Sequence, residues 1–161
     1  MNKSLLMYFY MVVGFGLMLT VSGCTDFQEG EDAYNRGDYE TALKKFRPLG
    51  ERGDPAAQFF LGEMYGHGKG VPQNYSVAIK WYRLAANQGL ADAQYTLGLW
   101  YVLGEKGGPQ DYVLAHMWLT LAAHEGEQGA FKPKDILENK MTPNQIAEAQ
   151  RLAREWKAIV K

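Results

Sequence analysis

Residues 54–126 contain the same passage twice, and that duplication constrains the fold more than any local preference. DPAAQFFLGEMYGHGKGVPQNYSVAIKWYRLAANQG (54–89) aligns with LADAQYTLGLWYVLGEKGGPQDYVLAHMWLTLAAHEG (90–126). Ala57/Ala93, Gln58/Gln94, Leu61/Leu97, Gly62/Gly98 and Tyr65/Tyr101 fall 36 residues apart. Pro72/Pro109, Gln73/Gln110, Tyr75/Tyr112, Ala78/Ala115, Trp81/Trp118, Ala85/Ala122, Ala86/Ala123 and Gly89/Gly126 fall 37 apart, so one residue is inserted in the connecting loop. A unit of this size cannot bury its apolar face alone, and stacked copies share one continuous core.

Each unit reads as two helices. Ala57, Leu61 and Tyr65, and then Ala93, Leu97 and Tyr101, recur at i, i+4, i+8 on one helical face. Gly66-His67-Gly68-Lys69-Gly70 reads as a turn that ends the first helix. The second helix follows Pro72 or Pro109, with Asn74 or Asp111 placed to cap it. It carries Ala78, Trp81 and Ala85 and stops at Gly89, a residue suited to a left-handed cap. Gly62 and Gly98 each cost about 1 kcal/mol of helix stability relative to alanine. Close approach of the partner helix offsets that cost, and the alanines at 78, 85 and 86 describe its other side.

The signature A-x3-LG-x2-Y, a glycine-rich turn, then A-x2-W-x3-AA-x2-G resembles the Sel-one-like repeat, a relative of the tetratricopeptide repeat. The resemblance implies an all-α, right-handed α-solenoid of antiparallel helix pairs, about eight helices after a cleaved signal peptide. Gly30 to Tyr39 with Ala42 is similar to a tetratricopeptide helix pair, so 24–53 forms the first pair, ahead of repeats at 54–89 and 90–126. Residues 127–161 form a closing pair, its first helix over 127–139. The second is opened by Thr142-Pro143-Asn144-Gln145, a capping box with proline in the first turn. Ile146, Ala149, Leu152, Ala153, Trp156 and Ile159/Val160 share one face of that last helix, as the cover of a solenoid end requires. Some exported repeats of this kind carry a cysteine pair across each unit; this chain does not.

The N-terminus has a different character. Lys3 precedes the apolar run LLMYFYMVVGFGLMLT, which reads as a secretory signal, with a retained membrane anchor as the alternative. Val21-Ser22-Gly23-Cys24 resembles the bacterial lipobox and decides for the signal, making 1–23 the leader and Cys24 the lipidated residue. The bland alternative is a cysteine ending an apolar helix. Two or more acyl chains anchor a protein stably where one does not. Cys24 is the only cysteine, so its acylation leaves no thiol for a disulfide. The resemblance implies a bacterial envelope location, on the periplasmic side of the outer membrane in a Gram-negative host. Thr25 favours outer-membrane sorting and Asp26 argues against it.

The formal net charge of −1 and the absence of a clustered basic face exclude a nucleic-acid partner. Ser76 lacks a Gly-x-Ser-x-Gly frame, and His67, His116 and His124 lack metal-ligand spacing. His116 aligns with Ile79 and His124 with Asn87, which reads as surface. The glycine-rich turn lacks the spacing of a phosphate loop. Trp81, Trp118, Tyr65 and Tyr101 read as core. No cofactor, metal or small-molecule substrate is expected, and no catalytic residue. The alternative to a protein-binding scaffold is an enzyme or glycan-binding module of the cell wall. In resembling repeats the first helices line a groove, which implies recognition through Tyr34, Phe59, Glu63, His67, Tyr95 and Leu99; the alternative is that this stripe is a partly exposed packing edge. Partners would be envelope proteins, with the membrane reached through the lipid anchor.

Overall fold

A computed structural model describes residues 25–104 and 110–160, so Cys24 and the leader lie outside the described residues. Eight helices and no strand occur among them. They are α1 (25–35), α2 (Tyr39–Glu51), α3 (Pro55–His67), α4 (Tyr75–Asn87), α5 (Ala91–Leu103), α6 (Tyr112–His124), α7 (Phe131–Glu138) and α8 (Pro143–Val160). A 3₁₀ turn, Gln128–Ala130, precedes α7.

The starts follow from capping. Asp38 accepts from the Thr41 amide, Asp54 from Ala57, Asn74 from Val77, and Asp111 from both Val113 and Leu114. Each satisfies an amide that has no partner inside its helix. Thr142 and Gln145 bond each other reciprocally ahead of α8, which is the expected capping box. The first repeat's glycine-rich turn begins later than the sequence implies. α3 continues through Gly66 and His67 and ends at Gly68, whose φ of 68° is left-handed. The closing pair also starts late, because 127–130 is taken up by the 3₁₀ turn and α7 begins at Phe131.

Two repeated glutamines explain the ends of four helices. Gln58 Nε2 donates to the Gly50 carbonyl at 3.0 Å, and Gln94 Nε2 donates to Ala86 at 3.1 Å. Gln73 Nε2 reaches Gly66 at 2.7 Å, and Gln110 Nε2 reaches Val102 at 3.0 Å. Every one of these carbonyls belongs to the penultimate residue of its helix, where no intrahelical donor remains. The Ala-Gln and Pro-Gln pairs recur because each glutamine ties one helix end to the next element. The copies differ in one respect. Gln88 donates to Gln58 Oε1 at 2.8 Å, but its counterpart is Glu125, and nothing donates to the buried Gln94 Oε1.

Helices pack in chain order: α2 on α3, α3 on α4, α4 on α5, α5 on α6, with α6 also covered by α7 and α8. The approach expected at the mid-helix glycines is present. A Cβ on Gly62 would stand 2.6 Å from the Tyr82 ring, and one on Gly98 would stand 2.6 Å from Leu119 Cγ. The side chains nearest them are therefore Tyr82 and Leu119, and the carbonyl of Ala115, the repeat of the fully buried Ala78, stands 3.3 Å from the Gly98 position. Of the four aromatics read as core, Trp118 and Tyr101 are buried, while Trp81 and Tyr65 are half-buried at its edge.

Candidate functional site

The cap at Asp54 and the proline after it set the phase of α3, and that phase puts Phe59, Glu63 and His67 on one face. Phe59 lies 5.7 Å from the Tyr82 ring of α4 and packs against the core. Glu63 Oε1 accepts from the Tyr82 hydroxyl at 2.7 Å, and its Oε2 stands 3.5 Å from His67 Nε2. His67 is 52% exposed, so the stripe runs from core to solvent within two turns. Burial first, and then the neighbouring Glu63 carboxylate, push the Tyr82 phenol far above its usual range. It remains a neutral donor.

Tyr34 joins this cluster from α1 through a lysine. Lys69, in the turn after α3, donates to the Tyr34 hydroxyl at 2.7 Å, and its Nζ lies 4.5 Å from that ring's centre and 5.7 Å from that of Tyr39. The bond to Tyr34 holds the ammonium above its ordinary range, with Tyr39 and Glu63 adding smaller attractions. Tyr34, Glu63, His67, Lys69 and Tyr82 thus form one polar patch across α1, α3 and α4. Tyr95 and Leu99 stand on the next first helix, α5, both half-buried. Tyr95 packs toward the 3₁₀ turn, its Cζ 3.7 Å from where a Gly129 Cβ would be. Leu103, the counterpart of His67, is 58% exposed.

Lys69 and Tyr82 are absent from the sequence-derived set. Tyr82 had a signal, since Ala78, Tyr82 and Ala86 fall at i, i+4, i+8 and the counterpart of Tyr82 is apolar Leu119. The repeated Trp81 next to it draws attention away. Lys69 lies in a turn, where helical periodicity says nothing.

His116 corrects a sequence expectation. It is 1% exposed rather than at the surface, because α7 covers that side of α6. Its Nε2 lies 2.7 Å from Glu138 Oε1 and its Nδ1 lies 3.3 Å from Thr120 Oγ1. Lys134 also reaches Glu138 at 3.1 Å. His124, 68% exposed, is at the surface as expected. The His116 bond, and then that of Lys134, hold the Glu138 carboxyl below the ordinary glutamate range. A depressed carboxyl stabilises the fold above its unfolded pKa and loses that contribution as pH falls through the folded value. The stability gap between the natural chain and Glu138→Gln is therefore expected to be full at neutral pH and to shrink below about pH 4.5. Urea midpoints from pH 7 to pH 3 read it. A gap independent of pH would show that the Glu138 charge holds nothing.

No group of three or more His, Cys, Asp or Glu side chains able to hold a metal occurs among the described residues. No helix among them is long and apolar enough to cross a membrane.

Stacked helix pairs whose ends are tied by repeated glutamines define an α-solenoid. Residues 55–90 and 91–127 each match the Sel1 repeat. The chain is 31% identical to a protective antigen of uropathogenic Escherichia coli that displays an SLR fold. That match has a TM-score of 0.78 and covers 83% of this chain and 29% of the antigen. A Sel1 repeat protein from Oxalobacter formigenes is 30% identical at a TM-score of 0.66, over 81% of this chain and 55% of that one. Among curated proteins, a putative sel1-like repeat-containing protein of Acanthamoeba polyphaga mimivirus is 39% identical over 72 residues, 45% of this chain and 13% of its own length. An exopolysaccharide production negative regulator of Rhizobium leguminosarum bv. viciae is 36% identical over 64 residues, 40% of this chain and 24% of its own. The chain thus spans less than a quarter of the curated relatives' length.

Proposed function

We propose that this chain is a lipid-anchored scaffold of a bacterial envelope, holding a partner protein on the face made by its first helices. The observation that carries the reading is the difference between repeats on that face. Where α3 presents the Glu63–His67 pair, α5 presents Leu99 and the exposed Leu103, while the packing stripe beside them is unchanged. A face that keeps its packing but varies its chemistry suits recognition, which uses both apolar anchors and charged groups. Tyr34, Phe59 and Tyr95 border it as half-buried rings. The Val21–Cys24 motif supports the anchor.

Photo-cross-linking in intact cells tests both parts. Tyr95→Ala with Leu99→Ala is expected to weaken partner cross-linking at least about tenfold, the scale of losing a central interface anchor. The exposed pair Lys80→Ala with Arg83→Ala on α4 should leave it unchanged. Since Tyr95 also packs inside, cooperative unfolding of the variant is the control. Cys24→Ser is expected to abolish acyl labelling and leave an uncleaved precursor. Normal capture by the α5 pair with loss in the α4 pair would move recognition to the second helices. An unlabelled natural chain would end the lipoprotein reading.

A further inference from the structure

Between the end of α5 and α7 lies a cleft of about 250 Å³, lined by Val102, Lys132, Pro133, Ile136, Leu137 and Lys140. α7 follows α6 in the chain and packs on it, as α5 follows and packs on α4. The walls of the cleft are apolar, and among the described residues its lining holds two lysines and no carboxylate. Leu137 closes the floor at 1% exposure, and Ile136 stands 61% exposed at the mouth. Lys132 and Ile136 stand one turn apart on α7, Lys140 follows in the turn after its end, and both lysines line the cleft beside Ile136. Both lysines are exposed, and neither forms an ion pair among the described residues, in contrast to Lys134 between them, which is held by Glu138.

We propose that this cleft takes a short acidic peptide segment of the partner, one apolar side chain entering between Val102 and Ile136 while flanking carboxylates meet Lys132 and Lys140. The inference rests on the scaffold reading and names the chemistry recognised at one end of it. Six residues of α-helical rise from Lys132 to the end of α7, and two more of the 3₁₀-type turn in which the Lys140 amide donates to the Leu137 carbonyl, set the lysines about 13 Å apart along the axis. An extended peptide covers that span in about four residues at roughly 3.3 Å each. The matching pattern is acid-x-apolar-x-acid. Small-molecule pockets run to roughly 300–1,000 Å³, above the size of this cleft, which fits a single inserted side chain better. Anionic membranes are read by clusters of about four to eight basic side chains, and among the described residues two unpaired ones border the cleft. A concave apolar floor also suits an inserted side chain better than a flat lipid surface.

The experiment uses the full chain in detergent and fluorescence anisotropy of a capped peptide containing Glu-Ala-Leu-Ala-Glu. Saturable binding is expected, weakened at least about tenfold when the leucine becomes serine. Lys132→Glu with Lys140→Glu is expected to weaken the acidic peptide by a similar factor and to gain binding of Lys-Ala-Leu-Ala-Lys. That gain cannot come from misfolding. Ile136→Ser should weaken both peptides on their matched proteins. Equal binding of the acidic and basic peptides by the natural chain, or no binding of either, overturns the proposal. So does a lysine-dependent difference in flotation with phosphatidylglycerol vesicles that is not matched by peptide binding, which would assign the cleft to lipid. A natural chain that cross-links its partner through α5 yet ignores the peptide defeats the cleft alone. One that binds the peptide but captures no envelope protein defeats the scaffold and leaves the cleft.

Discussion

Deletion of residues 142–161 is expected to abolish cooperative unfolding and to drive the remaining chain into aggregates. The reason lies in α6, whose sequence YVLAHMWLTLAAH is apolar nearly all round. A helix of that kind is stable only when covered on every side. α5 covers one flank, α7 a second and α8 a third. From α8, Ala149 and Ala153 are buried, and the Trp156 ring meets Trp118 edge-on at 6.2 Å. Uncovering a large apolar side chain costs about 1.5–3 kcal/mol, and several lose cover together. Against a total stability of about 5–15 kcal/mol, the loss is decisive. Circular dichroism during urea unfolding, with sedimentation velocity, reads the outcome. A soluble truncation with one sharp transition would make α8 a dispensable tail.

The helix pairs were legible because repetition does in one chain what an alignment does across many. Several residues that match at 36 or 37 turn out to be packing or end-tying groups: Leu61 and Leu97 are fully buried, and Gln58 and Gln94 bond the same kind of carbonyl. The repeat also marked the close approach at Gly62 and Gly98. It did not say which side chain fills it, since Tyr82 and Leu119 differ in type and so escape a search for identity. Where the repeat stops, legibility drops. Nothing in 127–139 announced a 3₁₀ turn before α7, because the expected helix start carries no cap signal and Ala130 makes no side-chain cap bond.

The candidate site was legible in part, for a related reason. Helical spacing put Phe59, Glu63 and His67 on one face, and α3 keeps them there. Spacing cannot convey that Glu63 is tied inward to a buried phenol, nor that a turn lysine reaches back to Tyr34 across 35 positions of sequence. His116 failed in the opposite direction. Its alignment with Ile79 suggested a variable surface, but Ile79 is itself half-buried against the core and α7 closes over His116 completely. The α7 cleft had no sequence signal beyond Lys132, Ile136 and Lys140 recurring every four residues, a spacing that an ordinary solvated helix shares.

Tyr82→Ala is expected to cost about 3–5 kcal/mol, the range for removing a buried aromatic ring, and its coupling to Gly62 tests the helix contact directly. Gly62→Ala alone should lower stability by about 1–3 kcal/mol through overpacking, although alanine is the better helix former. The new Cβ would stand 2.6 Å from two ring carbons of a residue with no exposure, whose hydroxyl is fixed by Glu63, so the ring has nowhere to go. With Tyr82 already alanine, the clash disappears and only helix propensity remains. Gly62→Ala should then be neutral or stabilising by up to about 1 kcal/mol. The sign of one substitution reverses with its neighbour, which no account based on propensity or on the first mutation alone produces. Tyr82→Phe separates the hydroxyl from the ring: it keeps the contact, removes one hydrogen bond and should cost about 1 kcal/mol. Urea midpoints of the four combinations, with Tyr82→Phe alongside, decide it. A Gly62→Ala chain more stable than the natural one would place Gly62 away from Tyr82 and undo the register of α3 on α4.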